Sequence, residues 1–210
     1  MESEESRSCY TGGMALTNAY VLRGDEGTVL IDAPEGVVAW LERVGLKVDL
    51  LLLTHHHFDH VMEAGLVQER FGCPVWAHSR REPELTLENL MRSMGMDLQV
   101  PEYSVDELLA GRDEVDVLGM RCRLFYVPGH ARDNLCFYFV GAGAVYVGDA
   151  LFKDGVGRYD FPGGSLPLLV SGIRKHLLSL PPETVVYPGH GEATTVGRER
   201  VSNPFVVEKG

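Results

Sequence analysis

The stretch LLLTHHHFDH, Leu51 to His60, runs from a buried apolar segment straight into four histidines and an aspartate. The preceding VDLLLLT is a short, continuous apolar run, the pattern of a strand covered on both faces. A chain that ends such a strand in His55, His56, His57, Asp59 and His60 must do something with their ring nitrogens and carboxylate oxygens. Left unorganised beside an apolar strand, each costs a few kcal/mol, ~2 on average. One isolated histidine would read as a surface loop residue, but this cluster points to a metal. In an extended segment His55, His57 and Asp59, at spacing two, face one side. A helix starting near His60 would split the set into His55 with His57 and Asp59 with His60. His56 alternates to the opposite side and is not expected to be a ligand.

Three other strand ends carry matching groups. VPGHARD places His130 after a strand ending at Val127, VGDAL places Asp149 after another, and YPGHG places His190 after a third. Each follows an apolar strand through a glycine, which lets the backbone turn sharply enough for a strand-end ligand to face a site. Imidazole and carboxylate donors suit zinc first, with iron or manganese as alternatives.

Around these motifs, residues 1–15 read as a loose lead-in. NAYVLRGDEGTVLIDAP reads as two strands with a turn at Gly24 to Gly27, and GVVAWLERVGL as a helix. Val61 to Phe71 fits a helix, PVWAH a strand, and Ser79 to Met96 a charged helical stretch. Further strands are expected at MRCRLFYVP, NLCFYFVG, GAVYVGD and TVVYPGH, and a helix at LPLLVSGIRKHLLSL. DGVGRYDFPGG reads as a long glycine-rich loop. No repeat or linker divides the 210 residues, so one domain over 1–210 is expected. Strands interleaved with helices imply a layered α+β architecture.

The net charge of −11 excludes phosphate backbones as natural partners, so a small-molecule substrate is expected, without nucleic acid or membrane. No apolar run could span a bilayer, and the acidic MESEESRSCYTGG lacks the character of a secretory signal, which implies a cytoplasmic protein. Oligomeric state is not legible. Cys9, Cys73, Cys122 and Cys136 show no C-x-x-C pairing and read as reduced structural thiols.

Taken together, THHHFDH, PGH, GDALF and PGHG resemble the metallo-β-lactamase superfamily, over Asn18 to about Pro204. HHHFDH, GRYDFPGG and VVYPGHGEATTVGRERVSNPF are most similar to its short glyoxalase II-like (hydroxyacylglutathione hydrolase-like) hydrolases. The resemblance implies a four-layer αββα sandwich and two divalent metals. It assigns His55, His57 and His130 to one metal and Asp59, His60 and His190 to the other, with Asp149 as bridge. It also implies a metal-bound hydroxide as the nucleophile that attacks an acyl thioester. Asp59 could in addition orient that hydroxide. Asp32, closing TVLIDA, is expected to hydrogen-bond behind the ligands. Lys153, Arg158 and Tyr159 are the local candidates for holding a substrate carboxylate. His78 and His176 read as structural.

Longer glyoxalase II enzymes carry a C-terminal helical domain with glutathione contacts, and residues 191 to 210 are too few to form it. HARDN after His130 also departs from the usual HTPGS of such enzymes. The alternative within the superfamily is a mononuclear iron persulfide dioxygenase, which shares a GR-x-D-F stretch like GRYDF. A ribonuclease, a β-lactam hydrolase and a non-catalytic metal-stabilised binding protein rank below it.

Overall fold

The computed structural model describes residues 7–207. Two compact units divide them, one built from the residues up to Gly111 with Val117–Gly119, the other from Arg112–Asp116 and the residues from Met120 on.

The first unit carries a six-stranded sheet in plain sequence order. Strands β1 (Arg7–Gly12), β2 (Thr17–Gly24) and β3 (Gly27–Ile31) form an antiparallel meander. Helix α1 (Val37–Arg43) then carries the chain over to β4 (Leu50–Leu52), which pairs parallel with β3. Helices α2 (Phe58–Val61) and α3 (Ala64–Phe71) lead to β5 (Val75–Ala77), and α4 (Pro83–Thr86) and α5 (Glu88–Ser93) to β6 (Glu107–Leu108), both strands again parallel to their neighbour. Alternate residues Ala19, Val21, Leu30, Leu51, Leu53 and Val75 pack with Val37, Leu41, Val61 and Val67 of the helices. The other set, Leu22, Val29, Ile31, Leu50 and Leu52, is equally buried, which is why β4 reads as an unbroken apolar run.

The second sheet holds β7 (Glu114–Val117), whose last residue falls in the first unit, and, from the second unit, β8 (Met120–Tyr126), β9 (Leu135–Phe139), β10 (Ala144–Gly148), β13 (Val185–Pro188) and β14 (Thr194–Thr195), ordered β14-β13-β10-β9-β8-β7. Only β10 and β13, joined through α6 (Leu166–Gly172), pair parallel among the registered neighbours. Val127, Tyr138, Val145, Val147 and Val186 pack with Leu169, Ile173 and Leu177 of the helical segment and with Val196 of α7 (Val196–Ser202). No helix among the described residues is long and apolar enough to cross a membrane.

Several expectations from the sequence need correction. Of the supposed lead-in, residues 1–6 lie outside the described residues, while Arg7–Gly12 is strand β1, paired residue for residue with Thr17–Leu22. Its backbone pairing, not apolar alternation, makes the strand. The Ser79–Met96 stretch is two short helices because Leu87 adopts φ 59 between them. The helix expected from Val61 begins earlier, at Phe58, and breaks at Glu63. Asp59 is therefore helical and does not continue an extended line with His55 and His57. Within the glycine-rich loop, β12 (Gly155–Val156) pairs with β11 (Leu151–Phe152) as a small hairpin. After α6 the chain widens into one π-helical turn, Ile173–Leu177. Helix α7 is an addition to the expected elements, capped by Thr195, which accepts from the Arg198 amide at 3.2 Å.

Candidate metal centre

In the first unit the passage from β4 into α2 places His55, His57, Asp59 and His60 together. The three histidines are buried. The His55 ring lies 4.6 Å from that of His57 and 4.1 Å from that of His60, and His60 Nε2 lies 3.6 Å from Asp59 Oδ2. The end of β3 fixes this passage. Ala33 donates its amide to the His60 carbonyl at 2.7 Å and accepts from Glu63 at 2.9 Å.

Asp32 sits behind these rings at φ 61, a left-handed conformation that Asp tolerates better than most residues. Its Oδ1 accepts from the Thr54 amide and its Oδ2 from the Thr54 hydroxyl, both at 2.8 Å. The same Oδ2 lies 2.8 Å from His60 Nδ1, so the imidazole donates there and carries its lone pair on Nε2. Because the Thr54 hydrogen is given to Asp32, the 3.1 Å contact between Thr54 Oγ1 and His55 Nδ1 makes His55 the donor too. One carboxylate thus sets the tautomer of two rings, one directly and one through a hydroxyl. His56 is arranged differently. Its Nε2 donates to the Ser79 carbonyl at 2.9 Å, and its Nδ1 accepts from the Tyr103 hydroxyl at 2.7 Å.

In the second unit three strand ends supply the groups. His130 follows β8 through Gly129, whose φ of 130 and whose Cβ position, 2.5 Å from the Leu169 amide nitrogen, admit no side chain. Asp149 and His190 follow β10 and β13, tied together where the Gly189 amide donates to the Gly148 carbonyl at 2.8 Å. Parallel pairing of these strands brings the two residues side by side. Asp149 Oδ2 lies 3.4 Å from His130 Nε2 and 3.3 Å from His190 Nε2. A carbonyl can only accept, so the 2.8 Å contact of His130 Nδ1 with the Arg158 carbonyl fixes a third Nε2 lone pair. Gly157 makes this possible, since a Cβ there would stand 1.9 Å from the Asp149 carbonyl oxygen and 3.0 Å from His130 Cγ.

Of the remaining candidates, Lys153 and Arg158 are already paired with carboxylates of the chain. Lys153 Nζ donates to Glu192 at 2.6 Å. Arg158 makes a two-pronged pair with Asp160, both contacts at 2.8 Å, and lies 3.8 Å from the centroid of Phe161. The pairing holds the Asp160 carboxyl below its usual range. A substrate carboxylate would therefore compete with Asp160 for Arg158, while Tyr159 is exposed.

The donor set fits borderline divalent cations. It consists of imidazoles, of which His55, His60 and His130 are turned by a hydrogen bond at Nδ1 to offer Nε2, and of carboxylates, with no thiolate. Burial pushes the Cys73 thiol up to about 11 and raises Cys122 and Cys136 further, which keeps all three protonated. Thr54, Gly157 and the Arg158 carbonyl were not foreseen. Neither was Thr17, whose hydroxyl donates to Asp59 Oδ2 at 2.8 Å from a position 42 residues earlier in the chain. For Thr54 the signal was adjacency to the histidines. For Thr17 the sequence holds none.

Residues 12–190 match the metallo-beta-lactamase superfamily. The chain belongs to this superfamily. All seven ligand candidates fall inside the match, and it runs through both units. The hydroxyacylglutathione hydrolase GloC of Haemophilus influenzae is 31% identical over 91% of this chain and 93% of its own. Among solved structures, the B3 metallo-beta-lactamase BLEG-1 is similar at TM-score 0.86 and 32% identity, covering 96% of this chain and all of its own. A protein solved in a di-iron-bound form, TTHA1623, is similar at TM-score 0.82 and 37% identity, covering 94% and 99%. The chain has the metallo-β-lactamase fold, and the superfamily supports a metal-dependent hydrolase.

Proposed function

We propose that the protein is a binuclear metallo-hydrolase acting on small acyl thioesters. His55, His57 and His130 would hold one cation, Asp59, His60 and His190 the other, and Asp149 would bridge them. The observation that carries this reading is the single Asp149 oxygen facing two imidazole Nε2 atoms at 3.3 and 3.4 Å, one of them tautomer-locked. A carboxylate between two ligand nitrogens suits a bridge. When bound, such cations supply a hydroxide at neutral pH and draw charge from the oxyanion of an attacked carbonyl.

The chain's own groups do the rest. Asp32 and the Arg158 carbonyl hold the rings in their ligand tautomers. Thr17 fixes the Asp59 carboxylate, which could orient the nucleophile. The three buried cysteines are protonated and so are unsuited to nucleophilic attack. The name of the GloC relative supports a thioester as substrate, and the net charge of −11 supports a small molecule over a nucleic acid.

Zinc is the first choice of metal, with iron next in view of the di-iron relative. The test measures metal content together with turnover of S-lactoylglutathione, other acyl thioesters, a lactone and a β-lactam, and oxygen uptake with glutathione persulfide. Thioester hydrolysis by protein holding two metals per chain is the expected result. Oxygen uptake with a single iron would instead establish a dioxygenase, and preferred β-lactam turnover would move the substrate class.

A further inference from the structure

A cavity of about 250 Å³ opens in the first unit beside Asp59. Its apolar wall has a local origin. Phe58 and Met62 stand four residues apart along the α2 turn and so share a face, and both line the cavity with Leu98 and with Met14 from the β1–β2 turn. Methionine's flexible thioether chain suits a wall that must fit more than one shape. The polar lining has one sign. Glu35 and Asp97 join Asp59, and no Lys, Arg or His among the described residues lines the space.

Small-molecule pockets for whole ligands run to about 300–1,000 Å³, so this cavity suits one arm of a substrate and not a complete glutathione conjugate. An aliphatic arm would gain about fourfold in affinity per buried methylene. Away from the metal proposed at Asp59, an anionic arm would meet Glu35 and Asp97, with no Lys, Arg or His among the described lining residues to offset them. Because Asp59 is itself a ligand candidate, an arm lodged here ends beside the reacting carbonyl.

We propose that this cavity receives the acyl arm of the substrate and selects uncharged or cationic aliphatic arms over anionic ones. The identity of the occupant rests on the thioester hydrolase reading, whereas the selectivity rests on the lining alone. The test uses the metal-loaded full chain labelled with ¹³C at the methionine methyls, with signals assigned through Met14→Leu and Met62→Leu. Hexyltrimethylammonium, 1-hexanol and hexanesulfonate are titrated in turn.

The cation and the alcohol are expected to shift the Met14 and Met62 methyls, with the sulfonate weaker than the cation by about tenfold. In a Glu35→Gln, Asp97→Asn double variant the gap between the charged probes should close to about twofold, with hexanol affinity unchanged. Hydrolysis of hexanoyl against adipoyl thioesters of one thiol should show the same preference. Methyls unmoved by all three probes, or a sulfonate binding as tightly as the cation, would overturn the proposal. Methyl shifts that favour the cation over the sulfonate, without any thioester turnover, would support the cavity's selectivity and sink the thioester reading. Turnover with unmoved methyls would do the reverse.

Discussion

The two sets of ligand candidates, each a half of the proposed metal site, are oriented in different ways. In the first unit His55, His57, Asp59 and His60 lie within a single six-residue passage, and a carboxylate from a neighbouring strand end orients two of the rings. In the second, His130, Asp149 and His190 come from three separate strand ends, and a backbone carbonyl orients the imidazole of His130. A contiguous motif needs one side chain, Asp32, in an unusual conformation to steer it. A dispersed one needs room, and glycines provide it. The first should therefore fail when a charge is removed, and the second when an atom is added.

The largest effect is expected in the second half-site from a single methyl group. Gly157→Ala would drive its Cβ into the Asp149 carbonyl and the His130 ring, and misplacing ligands by about 1 Å costs on the order of 10²-fold in kcat/KM. Metal analysis should show at least one cation lost. Gly141→Ala, where nothing stands within 4 Å of the added atom, should match the parent. Equal behaviour of the two variants would remove the steric account.

Asp32→Asn tests the first half-site with almost no change of shape, since Asn also tolerates positive φ. An amide cannot accept from the Thr54 amide, the Thr54 hydroxyl and His60 Nδ1 together. Metal affinity by chelator competition should fall about 10–100-fold with the circular dichroism spectrum retained. Unchanged affinity would show that the carboxylate does not steer the rings.

A smaller loss is expected from Thr17→Val, which removes the donor to Asp59 Oδ2 while keeping the buried volume. One hydrogen bond to a charged group is worth about 1.5–3 kcal/mol, and because this one is only part-buried the low end applies, so kcat/KM should drop by roughly tenfold. A loss confined to stability would make Thr17 a packing residue only.

The smallest effect belongs to a histidine outside both half-sites. His176 stacks on Phe125, and burial, with Lys175 and Arg123 nearby, lowers its pKa. The unfolded chain then binds the proton more readily, so this group's contribution to stability is present above about pH 6.5 and is lost as pH falls through the lower folded value. In urea titrations at pH 7.5 and 5, His176→Phe should remove a slope of less than about 0.5 kcal/mol, small because solvent screens the group. Metal content should not change.

The same contrast decides what could be read from the sequence. The local half was legible because an apolar strand running into H-x-H-x-D-H suits little besides metal ligation. The dispersed half was legible only through the repeated strand, glycine and ligand pattern at His130, Asp149 and His190, and through the family it resembles. The residues that steer these ligands were harder. Asp32 could be inferred from its strand end, but Thr17 and the Arg158 carbonyl act across 42 and 28 residues through contacts that leave no periodic trace. Likewise, the apolar strands of both sheets were visible, whereas β1, β6 and β14 are defined by backbone pairing with little apolar pattern. Leu87 broke an apparently continuous helix by a backbone angle that a leucine does not advertise.

The most direct measurement is anomalous diffraction from crystals of the zinc-loaded protein. The account predicts two peaks flanking Asp149, one bound by His57 and through Nε2 of His55 and His130, the other by Asp59, His190 and Nε2 of His60. A single peak, or coordination through the Nδ1 atoms that Asp32, Thr54 and the Arg158 carbonyl now engage, would contradict it.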